Sequence, residues 1–117
     1  MDITTTHDRG VVSGPPDYFV GDVLIEKLVD PRAPARTGLL RVQFAAGART
    51  NWHTHTLGQV LYVLAGSGRV QMRGEPVRQI GPGDRVWIPP DIEHWHGAAP
   101  GHTMTHLAMQ EGLDGVV

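Results

Sequence analysis

With 117 residues, 40% of them apolar and 19% charged, the chain has the size and composition of one globular domain and not of a disordered segment. A formal net charge of −2, with cations that are nearly all arginine and scattered along the chain, excludes the basic stripe that nucleic acid requires. Cysteine is absent, which excludes disulfides, thiolate chemistry and zinc-finger ligation.

Residues 1–17 are polar and close on Gly14-Pro15-Pro16-Asp17, which predicts an N-terminal arm and a turn. The start lacks the basic and apolar regions of a signal peptide, and no run approaches the roughly 18–20 apolar residues of a membrane span; a cytoplasmic protein with no membrane partner is expected. Tyr18–Val29 holds Phe19, Val20, Val23, Leu24, Ile25, Leu28 and Val29 around the break Gly21-Asp22, a pattern of one or two strands. Two prolines make residues 30–36 a surface loop, since a ladder strand needs the N–H donors they lack.

The core of the domain is expected over residues 38–110. Leu40, Val42 and Phe44 alternate with Arg41 and Gln43, a half-buried strand, and residues 45–48 turn the chain into a histidine-bearing stretch. Val60–Leu64 is apolar on both faces, which predicts packing on both sides. Residues 65–68 read as a tight turn, Val70 and Met72 as a strand, and residues 77–80 as a short strand between two Gly/Pro turns. Strands follow at 86–88, 93–97 and 103–110, with a loop at 98–101 and a loose tail at 111–117. Short strands every 8–12 residues, Gly/Pro turns and no helical period predict a single all-β domain, a sandwich or barrel.

Side chains alternate faces along a strand, so His53, His55, Gln59, Leu61 and Val63 share one face if that stretch is extended. His94 and His96 repeat the period-2 pairing. A bare H-x-H pair is usually a surface or core feature; two such pairs on strands, with His106 on a third, point to imidazoles converging on one metal ion. Parity leaves open whether the His106 face of the closing strand, with Met104, Ala108 and Gln110, or its opposite turns inward.

Gly47-x5-His53-x-His55-x3-Gln59-x6-Gly66 resembles the first cupin motif, with glutamine where that motif has glutamate. Gly83, Pro89, Asp91 and His94 resemble the second, with Asp91 departing from its glycine and no asparagine at its close. The resemblance implies a cupin jelly-roll β-barrel with a divalent metal held by His53, His55, Gln59 and His94. Three imidazoles and an amide leave the ion its full positive charge, which favours polarisation and proton chemistry over oxygen activation.

The runs His53-Thr54-His55, Leu57-Gly58-Gln59, His94–Pro100 and Met104–Glu111, with Gly14–Gly21 near the start, are similar to the small bacterial manganese-dependent cupin hydroxynitrile lyases. Members of that group continue past the Leu113-Asp114-Gly115 seen here, so a terminal covering segment is expected to be missing. The resemblance implies reversible cleavage of a cyanohydrin to a carbonyl compound and hydrogen cyanide. In that scheme His106 takes the hydroxyl proton, His96 steadies departing cyanide, and Leu40, Val42, Phe44, Leu61 and Gln110 line the pocket of a small-molecule substrate. Manganese is the implied cofactor, although iron, nickel, zinc and cobalt suit the same donors. A homodimer or homotetramer is expected from strand edges and the doubly apolar strand. The competing readings are an iron or copper cupin dioxygenase and a non-catalytic small-molecule-binding cupin.

Overall fold

The alternation of apolar residues becomes eleven strands in the computed structural model, which describes residues 1–117. They are β1 (Val11–Ser13), β2 (Phe19–Val20), β3 (Val23–Val29), β4 (Thr37–Phe44), β5 (Arg49–Thr50), β6 (Gln59–Gly66), β7 (Gly68–Met72), β8 (Arg78–Ile80), β9 (Arg85–Ile88), β10 (His94–Ala98) and β11 (Met104–Glu111). No helix is long and apolar enough to cross a membrane. A larger sheet has the order β1-β3-β4-β11-β6-β9 and a smaller one β2-β5-β10-β7-β8, with every pairing antiparallel. The all-β jelly-roll expectation holds.

The two sheets bury their facing sides. Val23, Val42, Phe44, Leu61, Val63, Ile88, Met104 and Ala108 of the larger sheet pack with Val70, Ile80 and Ala98 of the smaller in one cluster. In β4 the predicted alternation is kept: Val42 and Phe44 are buried while Arg41 and Gln43 are exposed. In β6 only one face is core. Gln59, Leu61 and Val63 are buried, whereas Tyr62 and Leu64 are exposed, so nothing within this chain covers the second apolar face.

Three local expectations are corrected. Residues 11–13 lie in the predicted arm yet form an edge strand on β3; both of their faces are exposed, so burial left no apolar alternation in the sequence. The turn expected at 65–68 shrinks to Ser67, whose N–H donates to the Thr103 carbonyl at 3.1 Å. Gly66 makes this possible, because its φ of +82° suits glycine and a Cβ there would collide with the Thr103 backbone. The tail is closed rather than loose, since Glu111 completes the ladder opposite Thr37 and Leu113 and Val116 exchange backbone hydrogen bonds of 2.9 and 2.7 Å.

Candidate metal centre

The stretch from His53 to Val63 is not one extended strand. Thr56 and Leu57 form a turn and Gly58, at φ +85°, redirects the chain from the smaller sheet into β6 of the larger. Backbone bonds hold the segment before that turn. His53 and His94 exchange N–H···O bonds of 2.9 and 3.0 Å, Asp91 N donates to His55 O at 3.0 Å, and Asn51 N donates to Tyr18 O at 2.8 Å. Arg73, paired with Glu93 at 2.9 Å, lies 3.9 Å from the centre of the Trp52 ring and braces the same segment from outside. Asp91, at the second motif's glycine position, adopts φ +61°; aspartate tolerates this left-handed conformation, which explains the departure.

This framework brings five histidines together. Ring centroids lie 4.2 Å apart for His53 and His94, 5.0 Å for His53 and His55, 5.3 Å for His53 and His96, and 4.8 Å for His96 and His106. His106 therefore faces inward, which settles the open parity of β11, and it lies behind His96 as seen from His53.

Hydrogen bonding fixes two tautomers. The Nδ1 atoms of His53 and His94 lie 2.8 Å from the carbonyl oxygens of Asn51 and Ile92. Carbonyls only accept, so each Nδ1 carries the hydrogen and each Nε2 presents a bare lone pair. The His94 Nε2 lone pair is 3.1 Å from Gln59 Oε1, itself an acceptor. His55 adds two buried nitrogens with no partner. Converging lone pairs of this kind are unfavourable with each other and favourable around a cation, so the donor set fits a metal ion. One ligand atom each of His53, His94 and His96 lies within 4.8 Å of the others, so this three-histidine group could hold one.

A family model for the cupin domain matches residues 40–109. The chain belongs to the cupin family. This cupin is similar to an (R)-mandelonitrile lyase from Granulicella tundricola, 50% identical over 115 residues, covering 98% of this chain and 88% of the relative. It is similar to the crystal structure of a cupin-like protein from Thermotoga maritima, with 42% identity and a TM-score of 0.84 over 95% of this chain and 81% of that one. The polyketide cyclase RemF of Streptomyces resistomycificus, at 24% identity and a TM-score of 0.77 over 93% of this chain and 78% of that one, shares the fold.

Within the cupin barrel, burial keeps the imidazoles neutral. It lowers the pKa of His94 to about 4 and of His106 to about 4 against an ordinary 6.5, with the Ile92 carbonyl opposing the shift at His94. His55 is lowered to about 4 by burial and then by charge on His53 and His94. His53 is lowered by burial, and His96, fully enclosed with His106 beside it, is well below the ordinary value. Neutral imidazoles are the form that binds cations and accepts protons.

His106 Nε2 is 2.8 Å from His96 Nδ1, leaving His96 Nε2 buried and unpartnered toward the cluster. The His96 backbone N–H donates to Thr50 Oγ1 at 3.2 Å, which ties β10 to β5 at this residue. Of the residues expected to line a pocket, Val42, Phe44 and Leu61 belong to the packed core, and Leu40 packs against it. Phe44 presents its ring at a steep angle to His106 and His96, at 5.2 and 6.1 Å, and so supports the pair from below. Gln110 meets Gln59, whose Nε2 donates to Gln110 Oε1 at 3.1 Å. A cleft of about 420 Å³ between β8 and β9 contains none of the histidines, but its wall includes Val70 and Met72, the ladder partners of His96 and His94. Sequence reasoning did not identify the Met72 side of the barrel as adjacent to the site; only the pairing of β7 with β10 shows it.

Proposed function

We propose that this cupin is a hydroxynitrile lyase that cleaves and forms (R)-cyanohydrins of aromatic aldehydes. The likeness to an (R)-mandelonitrile lyase over nearly the whole chain carries this reading. The buried, neutral histidine cluster supports it. His53, His55, His94 and Gln59 would hold a manganese ion. His55 is chosen because neither of its nitrogens has another partner, whereas His96 has His106. The specific alternative replaces His55 with His96, because His96 is the residue within 4.8 Å of His53 and His94.

A divalent ion held there supplies Lewis acidity toward the cyanohydrin hydroxyl. His96, and not His106, is the base in this reading. This reading places a hydrogen on His96 Nδ1, 2.8 Å from His106 Nε2, which leaves His96 Nε2 as a free acceptor beside the cluster. It takes the hydroxyl proton, the C–CN bond breaks as the carbonyl forms, and the same proton leaves on cyanide as hydrogen cyanide. His106 steadies the charged His96 from behind. Leu40, the partly buried residue opposite Ala108 of β11 in the ladder, is the apolar side chain this reading offers the substrate ring, Val42 being part of the packed core.

Mandelonitrile cleavage by manganese-loaded protein, followed as benzaldehyde release with metal content measured in parallel, tests the assignment. His96→Ala is expected to lose about 100-fold or more in kcat while keeping its metal, as removal of a general base does. Absence of turnover by the parent would remove the lyase reading. Full activity in His96→Ala would remove the base assignment alone. Metal analysis of the His55→Ala and His96→Ala proteins distinguishes the two ligand sets.

The uncovered apolar face of β6 supports self-association. Met109, Val60 and Trp87 lie in one row across β11, β6 and β9, and Tyr62 lies beside them; of these, Trp87, Tyr62 and Met109 are largely exposed. A homodimer or homotetramer using this face is proposed.

A further inference from the structure

Gln59 is a proposed ligand that can present the wrong atom. An amide end is nearly symmetric in shape, with an acceptor oxygen on one side and a donor NH₂ on the other. His94 Nε2 is a bare lone pair, because Nδ1 is committed to the Ile92 carbonyl. Beside it, without a cation, the favourable orientation of Gln59 turns the NH₂ toward His94. The structure has the opposite orientation, with Gln59 Oε1 3.1 Å from His94 Nε2.

The group that holds it lies directly across the ladder. Gln110 on β11 is the register partner of Gln59 on β6, and its Oε1 accepts from Gln59 Nε2 at 3.1 Å. Gln59 and Gln110 are both buried, so a donor with nowhere else to go is strongly directed by a single acceptor. On the other side of β11 the partner of Gln110 is Gly38, where an added Cβ would stand in contact with Gln110 Nε2 at 3.4 Å.

We propose that Gln110 is a positioning residue that keys the Gln59 amide, holding its carbonyl oxygen toward the metal and its NH₂ away. The inference rests on Gln59 being a ligand. Gln110 does not touch the ion or the substrate in this role; it acts through Gln59. It also gives a neutral ligand the directionality that a carboxylate has by symmetry.

Manganese affinity, measured by competition with a chelator on the folded apoprotein, separates the possibilities. Gln59→Leu is expected to weaken binding strongly, and an unchanged affinity would overturn the ligand reading itself. Gln110→Met keeps the size of the side chain without the acceptor and is expected to weaken binding about 10-fold, in the range for outer ligand partners. Gln110→Glu keeps an acceptor and has no donor, so it is expected to bind as tightly as the parent or tighter. If Gln110→Met binds like the parent, or if both Gln110 variants lose equally, the keying role is wrong while the Gln59 ligand survives. A second measurement needs no variant. In zinc-loaded parent protein the Gln59 amide protons are expected to show nuclear Overhauser contacts to Gln110; contacts to His94 in their place would overturn the proposal.

Discussion

At the scale of single residues, the site is organised by which nitrogen of each imidazole is already used. His53 and His94 spend Nδ1 on backbone carbonyls and His96 engages His106 through Nδ1, so three Nε2 atoms turn to one place. The His96–His106 arrangement predicts a graded response. His106→Phe, which keeps the ring and removes its nitrogens, is expected to lower kcat about 10-fold with metal content intact, a smaller loss than in His96→Ala; steady-state rates on mandelonitrile check the order. An equal or larger loss in His106→Phe would return the base role to His106. The histidine pairs were legible from spacing, and Gln59 from the resemblance to the first cupin motif. The His96–His106 contact was not, because it joins β10 and β11 from different sheets and depends on how the layers pack, which no local pattern encodes.

At the scale of elements, period-2 patterning identified the strands wherever one face is buried and the other wet. β4 is the clear case. The condition on which it aligned His53 with Val63, one extended stretch, is not met, because a turn at residues 56–57 and a left-handed Gly58 change sheets between His55 and Gln59. The same patterning missed β1, whose both faces are exposed and whose pairing rests on backbone bonds to β3. Glycines that permit close approach are where single substitutions should act hardest. Gly66→Ala must adopt a left-handed φ and displace the Thr103 backbone. It is expected to destabilise the fold by about 3 kcal/mol, read from urea unfolding. Gly74→Ala, at a similar φ of +85° but with open space around it, is expected to lose about 1 kcal/mol.

At the scale of the whole molecule, burying five neutral imidazoles makes stability depend on pH. The folded-state pKa values lie below the ordinary 6.5, reaching about 4 at His55, His94 and His106. Between those values the unfolded chain binds protons that the folded chain refuses, so stability falls with pH from about 6.5 toward 4 and is level above 7 with respect to these groups. Urea midpoints of the metal-free protein at constant ionic strength are expected to follow that course, and midpoints unchanged between pH 7 and 5 would contradict it. The second whole-molecule expectation concerns assembly. Replacing Tyr62 and Met109 by lysine places charge on the exposed apolar face of β6 and β11 without touching the core. By light scattering the parent is expected to be oligomeric and the double variant monomeric.

The donors that converge on the site are drawn from both layers: His53 and His94 are bridged at the smaller sheet, and Gln59 opens β6 in the larger. An ion gripped by all of them would act as a clasp across the sandwich. Prising the layers apart would then require releasing it, so at a free metal concentration one hundred times Kd the barrel would gain about 2.7 kcal/mol against opening. Amide hydrogens of β6 and β10, far apart in the chain, would slow their exchange with solvent together on loading, and chelation would release both at once.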